Sequence, residues 1–415
     1  MAVQTSETAA DLENRYRART PRSAALFERA MGALPGGSTR TSTYFDPYPP
    51  YIASGSGSRV TDVDGNEYVD FLNNYTSLIL GHAHPEVVAS VMEQVNIGSA
   101  FGAPTQVEVD LADEIRSRVP SSAEVRFTNS GTEATMLALR VARAATGRSA
   151  IAKFERAYHG THDWALAGTR GVPQAINDLV TELPFDDADG VRERLTGRAS
   201  ELAAIIVEPV QGAGVRPASP GFLAFLRDLA DAHGIVLIFD EIIAFRIGYH
   251  GAQGEYGVTP DLTTFGKIVG GGYPLAALGG RADLMGLLDA RRADGLGHGG
   301  TFNGNPVAAA AGLATLRHMT PARFREINER GDRLRTLLRT RFLAERLDAQ
   351  VTGVGSLFQV HLSDPEALRR FHLAMLVDGY YLAGRGLGAL STPMSEVELY
   401  GFAASAVRSV ALALA

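Results

Sequence analysis

Hydrophobic and polar positions change rhythm several times along this chain. Up to about residue 35 they read as one or two polar helices, with Leu26, Phe27 and Ala30 on an apolar face before Pro35-Gly36-Gly37. From Ser38 to Ser58, Tyr, Pro and Ser accumulate, as in a loop that lays aromatic groups on a surface. The stretch Arg59-Val-Thr-Asp-Val-Asp-Gly-Asn-Glu-Tyr-Val-Asp70 alternates on both sides of Asp64-Gly65 and predicts a hairpin. From about residue 85, helical stretches alternate with short apolar runs; the clearest predicted strands are Val125–Phe127, Ala150–Phe154, Ala203–Val207 and Gly234–Phe239. The last is almost continuously apolar, which fits a strand buried on both faces of a mainly parallel sheet. Such alternation predicts an α/β sheet covered by helices on both sides. After Thr301 the chain turns helical and arginine-rich, notably from Ala322 to Leu347, then gives short strands such as Ser356–His361 and a final helix.

Composition narrows the class. Hydrophobic residues make up 45% and charged residues 20%, enough for a sizeable core. A net charge of −7 argues against nucleic-acid or anionic-membrane partners. Cysteine is absent, which removes disulfides, thiolate catalysis and thiolate metal sites. Met1 to Asp11 is polar without an apolar signal segment, and no apolar run approaches the roughly 20 residues of a membrane span. The expectation is a cytoplasmic enzyme. Lysine occurs only at Lys153 and Lys267 among 39 Lys and Arg residues. Positive charge alone therefore does not require lysine here. Arginine cannot replace lysine where a primary amine must lose its proton and attack a carbonyl, because guanidinium stays protonated. Lys267 lies in the glycine-rich Thr264-Phe-Gly-Lys-Ile-Val-Gly-Gly-Gly-Tyr-Pro-Leu-Ala-Ala-Leu-Gly-Gly280.

Other stretches carry candidate chemistry. Asn129-Ser-Gly-Thr-Glu-Ala134 follows a predicted strand and opens a predicted helix, Ala134 to Ala145. A helix start of this kind can hold a phosphate through free N–H groups and the helix dipole, or it can be a plain N-cap. Asp240 ends a buried strand, where parallel sheets present their ligand crevice, and could keep a ring nitrogen protonated, cap a helix or bind magnesium. Glu208-Pro-Val-Gln-Gly212 closes another strand, and Tyr158-His159-Gly160 offers an aromatic face to a planar cofactor. Gly299-Gly-Thr-Phe-Asn-Gly-Asn-Pro306 is a second glycine-rich turn suited to an anion. His82 and His84 have the spacing of a metal pair, but nearby ligands are lacking and they read as a turn; no metal site is expected. A dinucleotide fingerprint is missing.

Six of these motifs (NSGTEA, YHG, EPVQG, FDE, FGKIVGGG and GGTFNGNP) stand in an order and spacing that resembles class III pyridoxal-phosphate aminotransferases, from about residue 25 to the end. The resemblance implies a fold-type I α/β architecture. Its mixed, mostly parallel seven-stranded sheet would lie in a large domain of residues 61–310. A smaller α+β domain would come from both termini, residues 1–60 and 311–415. It also implies pyridoxal 5'-phosphate as cofactor and a homodimer with active sites at the interface. Lys267 resembles the family's Schiff-base lysine and proton shuttle. Asp240 resembles the acid paired with the pyridinium nitrogen, Ile242 the apolar group behind the ring, and Tyr158, beside His159, the aromatic group on its other face. Ser130, Gly131 and Thr132 resemble the phosphate cradle, and Thr301 the threonine given by the partner subunit. Gln211 sits where the family contacts the ring hydroxyl, and Glu208 matches an acid beside the substrate carbon. Lys153 matches no catalytic position and reads as structural.

Within the family the chain is similar to the branch that holds glutamate-1-semialdehyde aminomutase and β-amino acid aminotransferases. The aminomutase pattern GGVNSPVR is here Gly36-Gly-Ser-Thr-Arg-Thr-Ser42, and the Asn of EPV-x-G-N is here Ala213. The β-amino acid branch resembles the chain at Gly37-Ser-Thr-Arg40 and Leu382-Ala-Gly-Arg-Gly386, where its arginines, here Arg40 and Arg385, hold substrate carboxylates by bidentate pairing. The expectation is amino transfer from a β-amino acid or related carboxylated amine to a 2-oxo acid. The alternative is an aminomutase-like isomerase.

Overall fold

A computed structural model describes residues 9–415; the first eight residues of the polar Met1–Asp11 stretch lie outside the described residues. The chain divides into two compact units, one taking the chain up to His84 together with Glu326–Ala415, the other Pro85–Arg325.

The Pro85–Arg325 unit is built on a seven-stranded sheet. In chain order its strands are β1 (Glu124–Thr128), β2 (Ala150–Phe154), β3 (Val180–Leu183), β4 (Leu202–Val207), β5 (Val236–Asp240), β6 (Leu262–Phe265) and β7 (Ala276–Gly280). They lie side by side as β1-β7-β6-β5-β4-β2-β3. β7 runs antiparallel to both neighbours, and the other pairs are parallel. Adjacent residues of the central strands go to opposite faces. Ala204, Ile206, Val236 and Ile238 join one core with Leu137, Ala138 and Val141 of the helix Gly131–Thr146. Ile205, Val207, Leu237 and Phe239 join the other with Phe222, Leu223 and Leu226 of the helix Pro220–His233. Both faces are dry, so these strands read as unbroken apolar runs. Each large side chain removed from water contributes about 1.5–3 kcal/mol.

A helix from Pro306 to His318 packs on the turn that carries Lys267. A side chain at Gly312 would run into the Val269 carbonyl, and one at Gly271, at φ +57°, into that of Ala311. Glycine is required at both positions for backbones to approach this closely.

The unit formed by the two ends of the chain carries two small sheets. Arg59–Asp62 and Glu67–Asp70 form the predicted hairpin, with Val60 opposite Tyr68. Tyr380–Tyr381 pairs in parallel with Glu67–Asp70, so residues 61–84 fold with the chain ends rather than with the large sheet expected to begin at residue 61. Residues 311–325 stay with the sheet unit because the helix Pro306–His318 packs there. Ile52–Ser56 is a strand within the stretch expected as loop; its side chains are mostly exposed, so no apolar alternation marks it. The second sheet joins Gln350–Thr352, Leu357–His361 and Leu387–Ala389. Contrary to the expectation that no apolar run has membrane-spanning length, the final helix Glu396–Leu414 is long and apolar enough. It begins with a capping box at Ser395 and Glu398, and Leu399, Phe402, Ala403, Ala406 and Val410 are buried, with the helix packed on Pro365–Val377.

Asn73–Thr76 is a turn of left-handed helix, with φ of 48°, 47°, 54° and 74°. Left-handed backbone costs roughly 1–2 kcal/mol per residue for L-amino acids, least for Asn. Buried hydrogen bonds hold it. Asp70 Oδ1 accepts from the N–H groups of Leu72 (2.8 Å) and Asn73 (2.9 Å), and Asn73 Nδ2 donates to the Ala389 carbonyl. His82, one of the two histidines with metal-like spacing, instead meets Asp70 Oδ2 at 2.7 Å.

Candidate functional site

The carboxyl ends of the parallel strands open onto a cavity of 270 Å³. Ser130, Gly131, Thr132, Tyr158, Glu208, Asp240, Ile242 and Lys267 line it, so eight residues singled out in the sequence meet in one place. Asn129, Gly160, Ile243, Tyr273, Pro274 and Leu275 complete the wall.

Asp240, the last residue of β5, is 3% exposed. Burying a carboxylate is costly without partners, and three groups supply them. His159 Nδ1 lies 2.7 Å from Oδ2, while the Thr264 hydroxyl (3.1 Å) and the Ile242 N–H (3.2 Å) donate to Oδ1. Thr264 reaches it because β5 and β6 pair Asp240 with Thr264 in register. The other ring nitrogen of His159, Nε2, is buried without a partner. Lys267 stands three residues past Thr264, at φ +52°, at the start of the turn Lys267–Gly270.

At the other side of the cavity the helix Gly131–Thr146 begins. Ser130 is its N-cap, its hydroxyl accepting from the Glu133 N–H at 3.3 Å, so the plain N-cap role is real. The first-turn residues also line the cavity, where helix N–H groups have no partner within the helix. A Cβ on Gly131 would sit 2.5 Å from Ile242 Cδ1, and one on Gly160, at φ +97°, 2.7 Å from Thr132 Cα. Glycine at these two positions keeps the backbone against the cavity.

Glu208, at the end of β4, accepts from the N–H groups of Tyr158 (3.0 Å) and Gly212 (3.1 Å). It thereby ties the Tyr158 loop to the strand beside it. Burial pushes its carboxyl up to about 7, with the Asp240 charge adding and His159 and the two N–H groups opposing. Tyr158 remains 61% exposed.

Five expected site residues do not line this cavity. His159 lies behind Asp240. Gln211 is fully buried, its Nε2 donating to the Glu155 carbonyl at 2.6 Å and its Oε1 buried without a partner. Thr301 is exposed on the second glycine-rich turn, which Asn303 ties to the first through Asn129 Nδ2 (2.8 Å). Arg40 and Arg385 belong to the other compact unit. Arg40 Nη1 donates to Asn74 Oδ1 at 3.0 Å, and exposed Arg385 accepts at its carbonyl from Gln359. Lys153 sits on β2, 3.4 Å from Glu182 of β3, and takes no part in the cavity. Thr264 and Tyr273 escaped the sequence reading. The strand register that sets Thr264 beside Asp240 could have found the first, and nothing in the residue pattern marks the second.

Residues 44–393 match the class-III aminotransferase family. The glutamate-1-semialdehyde 2,1-aminomutase of Methanothermobacter thermautotrophicus is 44% identical over 82% of this chain and 84% of its own. A solved omega-transaminase from Sphaerobacter thermophilus superposes with a TM-score of 0.93 at 42% identity, over 97% of this chain and the whole of that one. A β-phenylalanine aminotransferase from Variovorax paradoxus gives 0.91 at 35%, over 96% of each. Fold and relatives together define a fold-type I enzyme that uses pyridoxal phosphate. The chain belongs to the class-III aminotransferases. Its cavity suits that cofactor: a glycine-lined helix start for a phosphate, a buried carboxylate for a ring nitrogen, and a lysine amine.

Folding favours the protonated form of Glu208. Its stabilising contribution is therefore full below the ordinary value near 4.5 and fades as pH rises to about 7, a swing of up to about 3 kcal/mol. Glu208→Gln removes this titration. In urea unfolding of the cofactor-free protein, the variant should gain on wild type by about 1–3 kcal/mol between pH 5 and pH 8. A gap that stays constant over that range contradicts the assignment.

Proposed function

We propose that this enzyme transfers the amino group of a small amine that also carries a carboxylate. The observation that supports it most is the meeting of Lys267, Asp240 and the Ser130–Thr132 turn in one cavity. When bound, pyridoxal phosphate supplies a carbonyl that condenses with amines and a ring that draws electron density from the substrate carbon. Lys267 provides the amine that anchors it, then carries a proton to and from the substrate carbon. Asp240, kept in place by His159 and Thr264, holds the ring nitrogen protonated. Tyr158 and Ile242 cover the two ring faces. Ser130, Gly131 and Thr132 bind the phosphate with Thr301 of the partner subunit, and Gln211 serves the ring hydroxyl. Glu208 braces the Tyr158 loop next to the substrate carbon. Arg40 and Arg385 receive carboxylates.

The working unit is a homodimer. Val88, Met92 and Val95 form an exposed apolar stripe on the helix Pro85–Ile97, and Phe101, Val109 and Phe302 are exposed in the same unit. Such surface marks an interface. Sedimentation should give twice the chain mass, and Met92→Arg with Val95→Asp should give inactive monomers; an active wild-type monomer would refute the shared site.

Two finer readings differ in where the amino group goes. The curated relatives, 36–44% identical, carry the aminomutase name and favour transfer within one molecule; the comparisons support that reading better. Transfer from a β-amino acid to a 2-oxo acid is favoured by the Variovorax neighbour and by Ser38-Thr-Arg40 and Ala213, where the aminomutase pattern is lost. Holoenzyme given β-phenylalanine plus 2-oxoglutarate or pyruvate, and separately glutamate-1-semialdehyde alone, separates them. New glutamate or alanine establishes the transaminase. 5-Aminolevulinate formed without an added oxo acid establishes the aminomutase. Neither product sinks the proposal.

A further inference from the structure

Other non-glycine residues at positive φ, such as Ala83, Arg156 and Asp186, occur singly, whereas Asn73–Thr76 are four in a row. Two of the four, Asn73 and Thr76, are buried, and Asn73 fastens the turn through the Ala389 carbonyl; Asn74 is exposed and Tyr75 half-buried. The outward pair has one common target. Asn74 Oδ1 accepts from Arg40 Nη1 at 3.0 Å. The Arg40 guanidinium carbon lies 5.7 Å from the centre of the Tyr75 ring. The Tyr75 hydroxyl donates to the carbonyl of Ser42, two residues beyond Arg40.

We propose that the left-handed turn is a positioning device for Arg40, with Asn74 and Tyr75 as the residues that aim its guanidinium at the substrate carboxylate. This rests on the reading of Arg40 given under the proposed function. A bend alone would need only glycine, which takes this backbone without strain. Strain kept in bulky residues and offset by buried bonds belongs where a geometry must be held. Here Asp70, clamped by His82, and the Ala389 carbonyl fix the turn from inside. The left-handed sense places consecutive side chains so that an amide oxygen takes one N–H of Arg40 while a ring lies under its plane. A guanidinium has five N–H groups, so this anchoring leaves others for a carboxylate. Restricting the rotamers of a long exposed side chain beforehand lowers the entropy lost on binding.

The test uses the holoenzyme and follows loss of bound-cofactor absorbance on titration with β-phenylalanine and with glutamate-1-semialdehyde. Asn74→Gly keeps the left-handed backbone and removes the amide. It should raise half-saturation about tenfold and change the saturated rate less than about twofold, while melting within a few degrees of wild type. Asn74→Asp, which keeps an acceptor, should recover most of the affinity. In an Arg40→Ala background Asn74→Gly should add nothing. Tyr75→Phe, which frees the Ser42 end of the loop, should show the same split if Asn74→Gly folds poorly. If Arg40→Ala raises half-saturation and neither Asn74→Gly nor Tyr75→Phe does, the positioning role is overturned and the carboxylate role stands. If Asn74→Gly still weakens binding in the Arg40→Ala background, its effect does not pass through Arg40 and the proposal falls. If Arg40→Ala itself is silent, the carboxylate reading of Arg40 fails and takes the positioning with it.

Discussion

A carboxylate that is 3% exposed has to be given partners, and the partners of Asp240 set most of the site around it. His159 must come to Oδ2, which brings the Tyr158–Gly160 loop over the strand ends and leaves Tyr158 on the cavity wall. Thr264 must stand opposite on β6, and the strand register puts Lys267 three residues further on. The Ile242 N–H closes the set, and its side chain then meets Gly131 and Gly266, next to the phosphate turn and to Lys267. One buried charge thus links three strand ends.

The fold delivers this precision by close backbone contact. Gly312 against Val269 and Gly271 against Ala311 press the Pro306–His318 helix onto the lysine turn, so Lys267 rises from a packed base. Glu208 performs the same service for Tyr158 through two N–H groups. The left-handed turn at Asn73–Thr76 repeats the principle in the other unit, where buried bonds hold a backbone that would otherwise relax.

Much of this was legible in the residues. Strands buried on both faces read as apolar runs, and Ala150–Phe154 matches the predicted strand at both ends even though Lys153 stands within it. Lysine scarcity isolated Lys267, and the ordered motifs assembled eight of the cavity residues. What stayed hidden has physical reasons. Ile52–Ser56 is an exposed strand with no period-two signal, and the unit boundary at residue 84 depends on the pairing of Val69 and Asp70 with Tyr380 and Tyr381, far along the chain. Gln211 turns to the Glu155 carbonyl, a choice of rotamer that sequence does not encode locally. The Asn73–Thr76 turn contains no glycine, and the Asn73-Asn74 pair does not foretell that Tyr75 and Thr76 follow in the left-handed region.

The proposed chemistry stands or falls with Lys267 as the amine that holds the cofactor. Two lysines make the measurement clean: load the enzyme with pyridoxal phosphate, trap it with borohydride, digest, and locate the added mass by mass spectrometry. Label is expected on the Lys267 peptide alone, and none there after Lys267→Ala. Label on the Lys153 peptide, or an unlabelled Lys267 in enzyme that still binds cofactor, would contradict it.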